Sequence, residues 1–530
     1  MHYRRFSSIW EERSVRGRLH FIRGCVTSCQ DFQTNDRTRC VTFSVFLEVE
    51  APAPVREENK TLLNHDLSCF FDPGSIAVIG SFRESFFGGY VIVKSLLKAG
   101  YEGKIFPINP AYKEVHGLKV YSSLREVPEE VDLAMVMINA RSVAEMVRQC
   151  AEKGIRAMIV VSDGFAERDG EGARLQEALM ELAAKEGIRI IGPNTAGVVN
   201  TANGFNPCAY EAGYYRIRKG PIAIGAQTGM TNPQAFPYPN LRFGVSKICD
   251  FGNKGDVDEC DLLEYLAEDP DTGVISMYLE SIRDGQRLLR IAKNVTEIKP
   301  VLVFKSGRTQ EGARASASHT GSLAVDDKIF DSLCRQTGIL RLEEFEDLFE
   351  IPKIFASRDL PKGGRLGIVT FTGGIGVVII DEGAKHGVSL TTLGTETRQA
   401  LEGIYQGLGN MPVDIGPMMA AVKKPFETYP EVLEAVAADS NVDLLFNVLW
   451  ANPTDSIVGS YLKAYERMKD RVRKPIATWI YGPNLGVAAD LAERVEEMGF
   501  PVFSSPEKGI RALGLAWAYA QHKAHVARDE

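Results

Sequence analysis

From residue 67 onward the chain alternates two hydrophobic patterns. Short apolar runs at 75–80, 104–108, 133–138, 157–161 and 188–191 end at, or within three residues of, Gly, Pro or Asn. A run that is apolar on both faces and closed by a turn residue predicts a strand buried in a parallel sheet. Between these runs lie longer stretches with a helical stripe. Val143, Met146, Val147 and Cys150 follow the i, i+3, i+4, i+7 spacing, and Leu175, Ala178, Leu179 and Leu182 repeat it. Such stripes belong to helices that cover a sheet. The alternation predicts a doubly wound α/β domain over residues 63–205.

The pattern then starts again. Runs at 221–225, 243–249, 273–280 and 300–305, with a stripe at Leu288, Ile291, Ala292 and Val295, predict a second domain over 206–358. Runs at 366–371, 442–449 and 475–480 predict a third over 359–530. The expected fold class is α/β, with three consecutive doubly wound, Rossmann- or flavodoxin-like domains. The stretches share no fixed short period, so they are not a solenoid.

Residues 1–62 read differently. Arg4, Arg5, Arg13, Arg16, Arg18 and Arg23 stand against only Glu11 and Glu12 in the first thirty positions. No apolar core of a secretory signal is present, and Ala51-Pro52-Ala53-Pro54 marks a linker. This segment is set apart as an atypical N-terminal extension without an assigned function.

Composition narrows the classes. The 530 residues are 45% apolar and 25% charged, with a net charge of −8 mixed along the chain. Nucleic-acid binding asks for a clustered basic face, which is missing. No apolar run is long enough to span a bilayer. Nine cysteines without a C-x-x-C pair point to a reducing cytoplasm, with neither a disulfide framework nor a metal site.

Candidate chemistry follows from the predicted sheets. Ligands of doubly wound domains sit beyond the carboxyl ends of the strands. That rule nominates Gly80, Ser81, Pro107, Asn109, Ser162, Gly164 and Phe165 for a cofactor in the first domain. The first turn lacks G-x-G-x-x-G, and the chain holds no P-loop, H-E-x-x-H or G-x-S-x-G, which excludes P-loop ATPases, zincins and α/β-hydrolases. In the second domain Gln227-Thr228-Gly229 precedes an expected helix, whose free N–H groups and dipole suit a phosphoryl group. His319 falls in a stretch of small residues read as a loop between the strand 300–305 and a helix starting near Asp326. Glu280, at a strand end of the same domain, is a carboxylate of the kind that fixes a histidine tautomer and supports a nucleophile. On residues alone, a solvated loop histidine and a surface carboxylate remain the alternatives.

Taken in order, the strings Phe251-Gly252-Asn253-Lys254-Gly255-Asp256-Val257-Asp258, Asp261-Leu262-Leu263-Glu264-Tyr265-Leu266, Asp269-Pro270, Tyr278-Leu279-Glu280 and Ser318-His319-Thr320-Gly321-Ser322-Leu323-Ala324 resemble the NDP-forming acyl-CoA synthetases. That superfamily includes ADP-forming acetate–CoA ligase and, more distantly, succinyl-CoA synthetase. The resemblance runs from about Leu67 to Ala518. It implies a CoA-binding first domain and a phosphorylated histidine, His319, oriented by Glu280. Gln227, Thr228, Gly229, Asn194 and Gly321 would hold the phosphoryl group. Thr228 stands for the usual Ser, and Ala226 for the Ser before Gln. In the third domain Met411-Pro412-Val413-Asp414 and Thr372-Gly373-Gly374 stand for N-P-V-D and S-G-G. Asn139-Ala140-Arg141 replaces a P-A-type loop.

The activity so implied is an ADP-forming acid–CoA ligase α subunit. It would convert a small carboxylic acid, CoA and ATP through an acyl phosphate and a phosphohistidine. ATP/ADP and Mg²⁺ would come through an ATP-grasp β subunit in a cytoplasmic homo- or hetero-oligomer. Two other classes stay open. One is a CoA- or acyl-CoA-binding regulatory protein without turnover. The other is an acyl-CoA lyase or protein acyltransferase on the same scaffold, although no segment is left for an added acetyl-transfer domain.

Overall fold

The computed structural model describes residues 8–12, 22–26, 67–209, 217–231, 241–320 and 325–529, with side chains of the helix Gln310–Thr320 described only as far as residue 316. The chain divides into two units, Met1–Asn64 and His65–Glu530. In the first, Ser8–Glu12 and Ile22–Val26 pair antiparallel.

The second unit holds three parallel sheets with one topology. In the first sheet the order is Lys104–Ile108, Ser75–Ile79, Leu133–Val136, Ala157–Val160, Arg189–Ile191. The second runs Val245–Asp250, Lys219–Ala226, Val274–Leu279, Val301–Lys305, Leu340–Arg341. The third runs Ser389–Leu390, Arg365–Thr370, Leu444–Trp450, Ile476–Tyr481, Val502–Phe503, and Val413–Asp414 pairs with the end of Arg365–Thr370. Each is a 2-1-3-4-5 order, which reverses direction beside its first strand and opens a crevice at the carboxyl ends there.

The sheets are joined through shared backbone and shared cores. Val198–Asn200, which follows the last strand of the first sheet, pairs antiparallel with Val245–Asp250 at the edge of the second. Phe70, Phe71 and Ile76 pack in one apolar cluster with Phe251, Leu262 and Leu266. A second cluster joins Leu302, Leu348 and Ile354 to Leu366, Ile510 and Leu513. The closing helix Pro506–Asp529 spans that second junction. Its Arg511 donates from Nη1 to Asp347 Oδ2 at 2.9 Å, and Tyr519 Oη donates to the Thr296 carbonyl at 2.8 Å.

Local chemistry sets the helix starts. The side chains of Asn139, Asp169, Asp258 and Asp326 accept the first-turn N–H groups of their helices, satisfying donors that a helix leaves unpaired. Of the predicted stripes, Val143, Val147, Cys150, Leu179, Leu288, Ala292 and Val295 are buried, whereas Ala178 is exposed and Leu175 half-buried.

One local expectation is corrected. The stretch after Lys305 is not a continuous loop: residues 310–320 form the helix Gln310–Thr320, so His319 stands on its last turn. Thr309 starts it, accepting the Gly312 N–H on Oγ1 at 3.0 Å and the Ala313 N–H on its carbonyl at 2.8 Å. Ala313, Ala315 and Ala317 then supply strong helix propensity. Small residues that read as a loop are also the residues that suit a helix. Gly321 and the His319 side chain lie outside the described residues.

Candidate active site

A cleft of about 660 Å³ lies where the strand ends of the first two sheets meet. Met137, Asn139, Ser162 and Asp163 line it from the first domain, with Asn194 beside them, while Gln227, Thr228, Gly229, Asp250 and Asn253 line it from the second. The two-domain wall brings together residues far apart in sequence, which is where pockets with a few convergent polar groups form.

Gln227 is a staple in this wall. Its Oε1 accepts the N–H groups of Glu280 at 2.8 Å and Ser281 at 3.0 Å, and its Nε2 donates to Ser281 Oγ at 3.2 Å. The end of Lys219–Ala226 is thereby locked to the turn after Val274–Leu279. Glu280 is only 5% exposed. The Tyr278 hydroxyl donates to Glu280 Oε1 at 3.0 Å. Burial pushes that hydroxyl's pKa up to about 12, so it remains a donor across the neutral range. Thr228 accepts the Met230 N–H on Oγ1 at 3.3 Å, within a turn that continues as the 3-10 turn Gly229–Thr231, and the helix expected after it lies outside the described residues.

Asp250, at the end of its strand, was not among the sequence candidates. Its Oδ2 accepts the Ala196 N–H at 2.6 Å and its Oδ1 the Gly252 N–H at 3.1 Å. Burial raises its carboxyl pKa to about 6; the two N–H bonds oppose the shift, and the charge of Glu280 adds to it. Ser281, which closes the Gln227 staple, was missed as well. The available signal for both was position: each directly follows or ends a buried strand.

The G-N-K-G-D-V-D loop serves as a clasp between the two domains. Asn253 N donates to the Pro193 carbonyl at 2.9 Å, Gly255 N to Gly192 at 2.9 Å and Val257 N to Ile190 at 3.1 Å. Asn253 Nδ2 also donates to Gln176 Oε1 at 2.9 Å. Asp256 accepts from Arg189 Nε at 2.9 Å and from the Ile190 N–H at 2.8 Å. Asp258 completes a capping box with Asp261. Gly252 has φ 55°, and a Cβ there would lie 2.2 Å from the Pro193 carbonyl oxygen. Gly252→Ala is therefore expected to destabilise the protein by about 3 kcal/mol through combined strain and overpacking, read as a lower denaturant midpoint.

The first-domain candidates separate. Gly80, Ser81, Pro107 and Asn109 gather at the first sheet's crevice. Asn109 Nδ2 donates to the Gly80 carbonyl at 2.7 Å, and Ser81 Oγ lies 3.3 Å from Tyr112 Oη. A Cβ on Gly80 would sit 3.2 Å from the Met137 carbonyl oxygen, so a side chain there would crowd the crevice floor. Ser162 lines the two-domain cleft while its Oγ accepts the Ile138 N–H at 3.0 Å. Gly164, at φ 92°, borders a neighbouring cleft of about 760 Å³. The Phe165 ring is fully buried in the core beneath and reaches neither opening. Of the phosphate candidates, Gln227, Thr228, Gly229 and Asn194 share the two-domain cleft.

The chain matches two family models, the CoA binding domain over residues 74–201 and the succinyl-CoA ligase like flavodoxin domain over 219–355. It is 37% identical over 465 residues to acetate–CoA ligase [ADP-forming] II of Archaeoglobus fulgidus, covering 86% of this chain and 68% of that protein. It is 34% identical over 477 residues to acetate–CoA ligase [ADP-forming] II subunit alpha of Pyrococcus furiosus, covering 87% of this chain and 98% of that subunit. Among solved structures, the dinucleotide-forming acetyl-coenzyme A synthetase 1 of Ca. Korarchaeum cryptofilum, in complex with phosphate and ADP, superposes with a TM-score of 0.79 at 30% identity, covering 88% of this chain and 99% of that one.

Proposed function

The chain belongs to the ADP-forming acetate–CoA ligase family as a counterpart of its α subunits, and from this membership we propose how its residues divide the reaction. Read in the direction of ATP formation, phosphate attacks the acyl carbon of acyl-CoA, giving an acyl phosphate and the free thiol. The His319 imidazole then takes the phosphoryl group and releases the acid, and the phosphohistidine delivers the group to ADP. Neutral imidazole is nucleophilic near pH 7, which suits it to this carrier role.

Glu280 accepts the other ring N–H and so selects the tautomer that presents a nucleophilic nitrogen. Thr228, Gly229, Asn194 and Gly321 hold the phosphoryl oxygens, with Gln227 fixing the turn that aims them. CoA lies across the first domain along Gly80, Ser81, Pro107, Asn109, Ser162 and Gly164. ATP/ADP and Mg²⁺ are held by an ATP-grasp partner in the cytoplasm. The partner is supported by the relatives: the Pyrococcus counterpart is named as a subunit, and the Archaeoglobus protein extends beyond the part this chain matches. No described helix is long and apolar enough to cross a membrane.

One observation carries the residue roles. Glu280 is buried directly after the strand Val274–Leu279, with its backbone held by the cleft-lining Gln227 and one carboxylate oxygen by Tyr278, in the domain that bears His319. A carboxylate restrained in this way can orient a partner but has little freedom for anything else. Glu280→Gln is expected to lower turnover by about 100-fold, the usual scale for losing the group that orients a reacting histidine, with the KM for CoA unchanged.

The test of the reaction is co-expression with an ATP-grasp chain from the same source, followed by a screen of small carboxylic acids with CoA and ATP. Acyl-CoA and ADP are expected in equal amounts. AMP in place of ADP would contradict the assignment.

A further inference from the structure

We propose that Asp250 is the base that takes the thiol proton of CoA when the thiol attacks the acyl phosphate. The inference rests on the ligase reading and adds to it a residue for the acyl-transfer step.

The argument starts from placement. Asp250 lines the two-domain cleft between residues of the CoA-side strand ends, Met137 and Ser162, and the phosphate-side turn, Thr228 and Gly229. The thioester must form between those two walls, because the thiol arrives from one and the phosphoryl group leaves toward the other. The Ala196 and Gly252 N–H groups each hold one carboxylate oxygen. The Thr195 hydroxyl is a third donor to the carboxylate, so of its about four lone-pair sites one remains for another donor.

Its surroundings are unusual for a buried carboxylate. Among the described residues no Lys, Arg or His forms an ion pair with Asp250, whereas buried Lys247 and Lys254 are paired with Asp269 and Glu259. Burying a carboxylate without a cation is unfavourable, so this one is unlike a structural ion-pair partner. The ionisable groups around it are Glu280 after the strand two places away in the sheet, Asp163 across the cleft, Cys249 beside it in the chain, and Lys254 in the following loop with its partner Glu259. Burial and the Glu280 charge raise the Asp250 carboxyl to about 6. It is then ionised at neutral pH yet more basic than an ordinary aspartate, and a base works best with a pKa near the working pH.

The step balances. The C–S bond forms, the C–O bond to phosphate breaks, and the S–H proton passes to Asp250 Oδ. Phosphate leaves and accepts that proton as the carboxyl returns to its ionised form. In the reverse direction the protonated carboxyl gives its proton to the departing thiolate. A free thiol with a pKa of about 8.5 is only a few per cent ionised at pH 7, so help at this atom matters.

The experiment uses the full chain with chemically prepared acetyl and propionyl phosphates and CoA, measuring acyl-CoA formation from pH 5 to 8. Wild type is expected to show a rate that rises through a pKa of about 6 and then levels. Asp250→Asn and Asp250→Ser are expected to be roughly 100-fold slower, the low end for general-base catalysis. Their rates should climb steadily toward the thiol's own range of about 8.5, with CoA affinity by calorimetry and circular dichroism unchanged. Variants that keep the wild-type rate and its acidic limb overturn the inference alone. Variants that lose CoA binding along with rate also overturn it, in favour of a structural role. A wild-type chain, co-expressed with its ATP-grasp partner, that makes no acyl-CoA from the acyl phosphates of any screened acid overturns the ligase reading beneath it.

Discussion

His319→Ala is expected to abolish acid-dependent acyl-CoA synthesis, by about 10⁴-fold or more, the scale at which an enzyme loses its covalent nucleophile. The size of the effect follows from the absence of a substitute. The phosphoryl group must wait on a nitrogen that both accepts it near pH 7 and gives it up again, and imidazole is the side chain that does both. Ala317, Ser318 and Thr320, its immediate neighbours, cannot replace it. Because His319 stands on the last turn of Gln310–Thr320, alanine leaves the helix propensity intact. The loss should therefore appear in turnover, with CoA binding and thermal stability unchanged. Acyl-CoA formation that survives the substitution with the wild-type rate would remove His319 from the reaction.

The largest expected stability effect is at Lys254. Its side chain is 1% exposed and that of Glu259 is 0% exposed, with Nζ 2.8 Å from Glu259 Oε2. The same ammonium donates to the Ser281 carbonyl at 2.6 Å, so it ties the inter-domain clasp to the turn carrying Glu280. Lys254→Met would leave the Glu259 carboxylate buried without its cation, a loss of about 3–5 kcal/mol. A large drop in the urea midpoint is expected. Lys254→Met combined with Glu259→Leu should recover much of it, since replacing both partners by apolar groups removes the uncompensated charge. Single and double variants with equal midpoints would show that the pair does not act as a unit. Because the clasp supports the cleft, the single variant should also lose turnover.

The parallel strands could be read directly because a strand buried on both faces leaves a continuous apolar run, and its turn leaves Gly, Pro or Asn. Residues 133–138 and 157–161 are of that kind, and strands occupy Leu133–Val136 and Ala157–Val160. The helix carrying His319 was hidden because its Ala residues favour a helix while the Gly and Ser among them favour a loop, and the Thr309 cap adds to the helical side. The cleft was partly legible. Strand ends nominate residues one domain at a time, which reached Ser162 and Gln227 in its lining. It did not reach Asp250, whose position matters only once the 190–196 turn and the 251–257 loop are laid against each other. The loop G-N-K-G-D-V-D marks the family, yet Asp256 and Asp258 serve an ion pair and a helix cap. A distinctive motif can therefore report an inter-domain joint as readily as a catalytic group.

The central claim is that a phosphoryl group resides on His319. The most direct measurement is to incubate the chain with acyl-CoA and labelled phosphate, then map the label by peptide mass spectrometry. The account predicts one acid-labile, base-stable phosphate on the peptide containing His319, absent from His319→Ala. Label on another residue, or acyl-CoA turnover with no phosphorylated peptide at all, would contradict it.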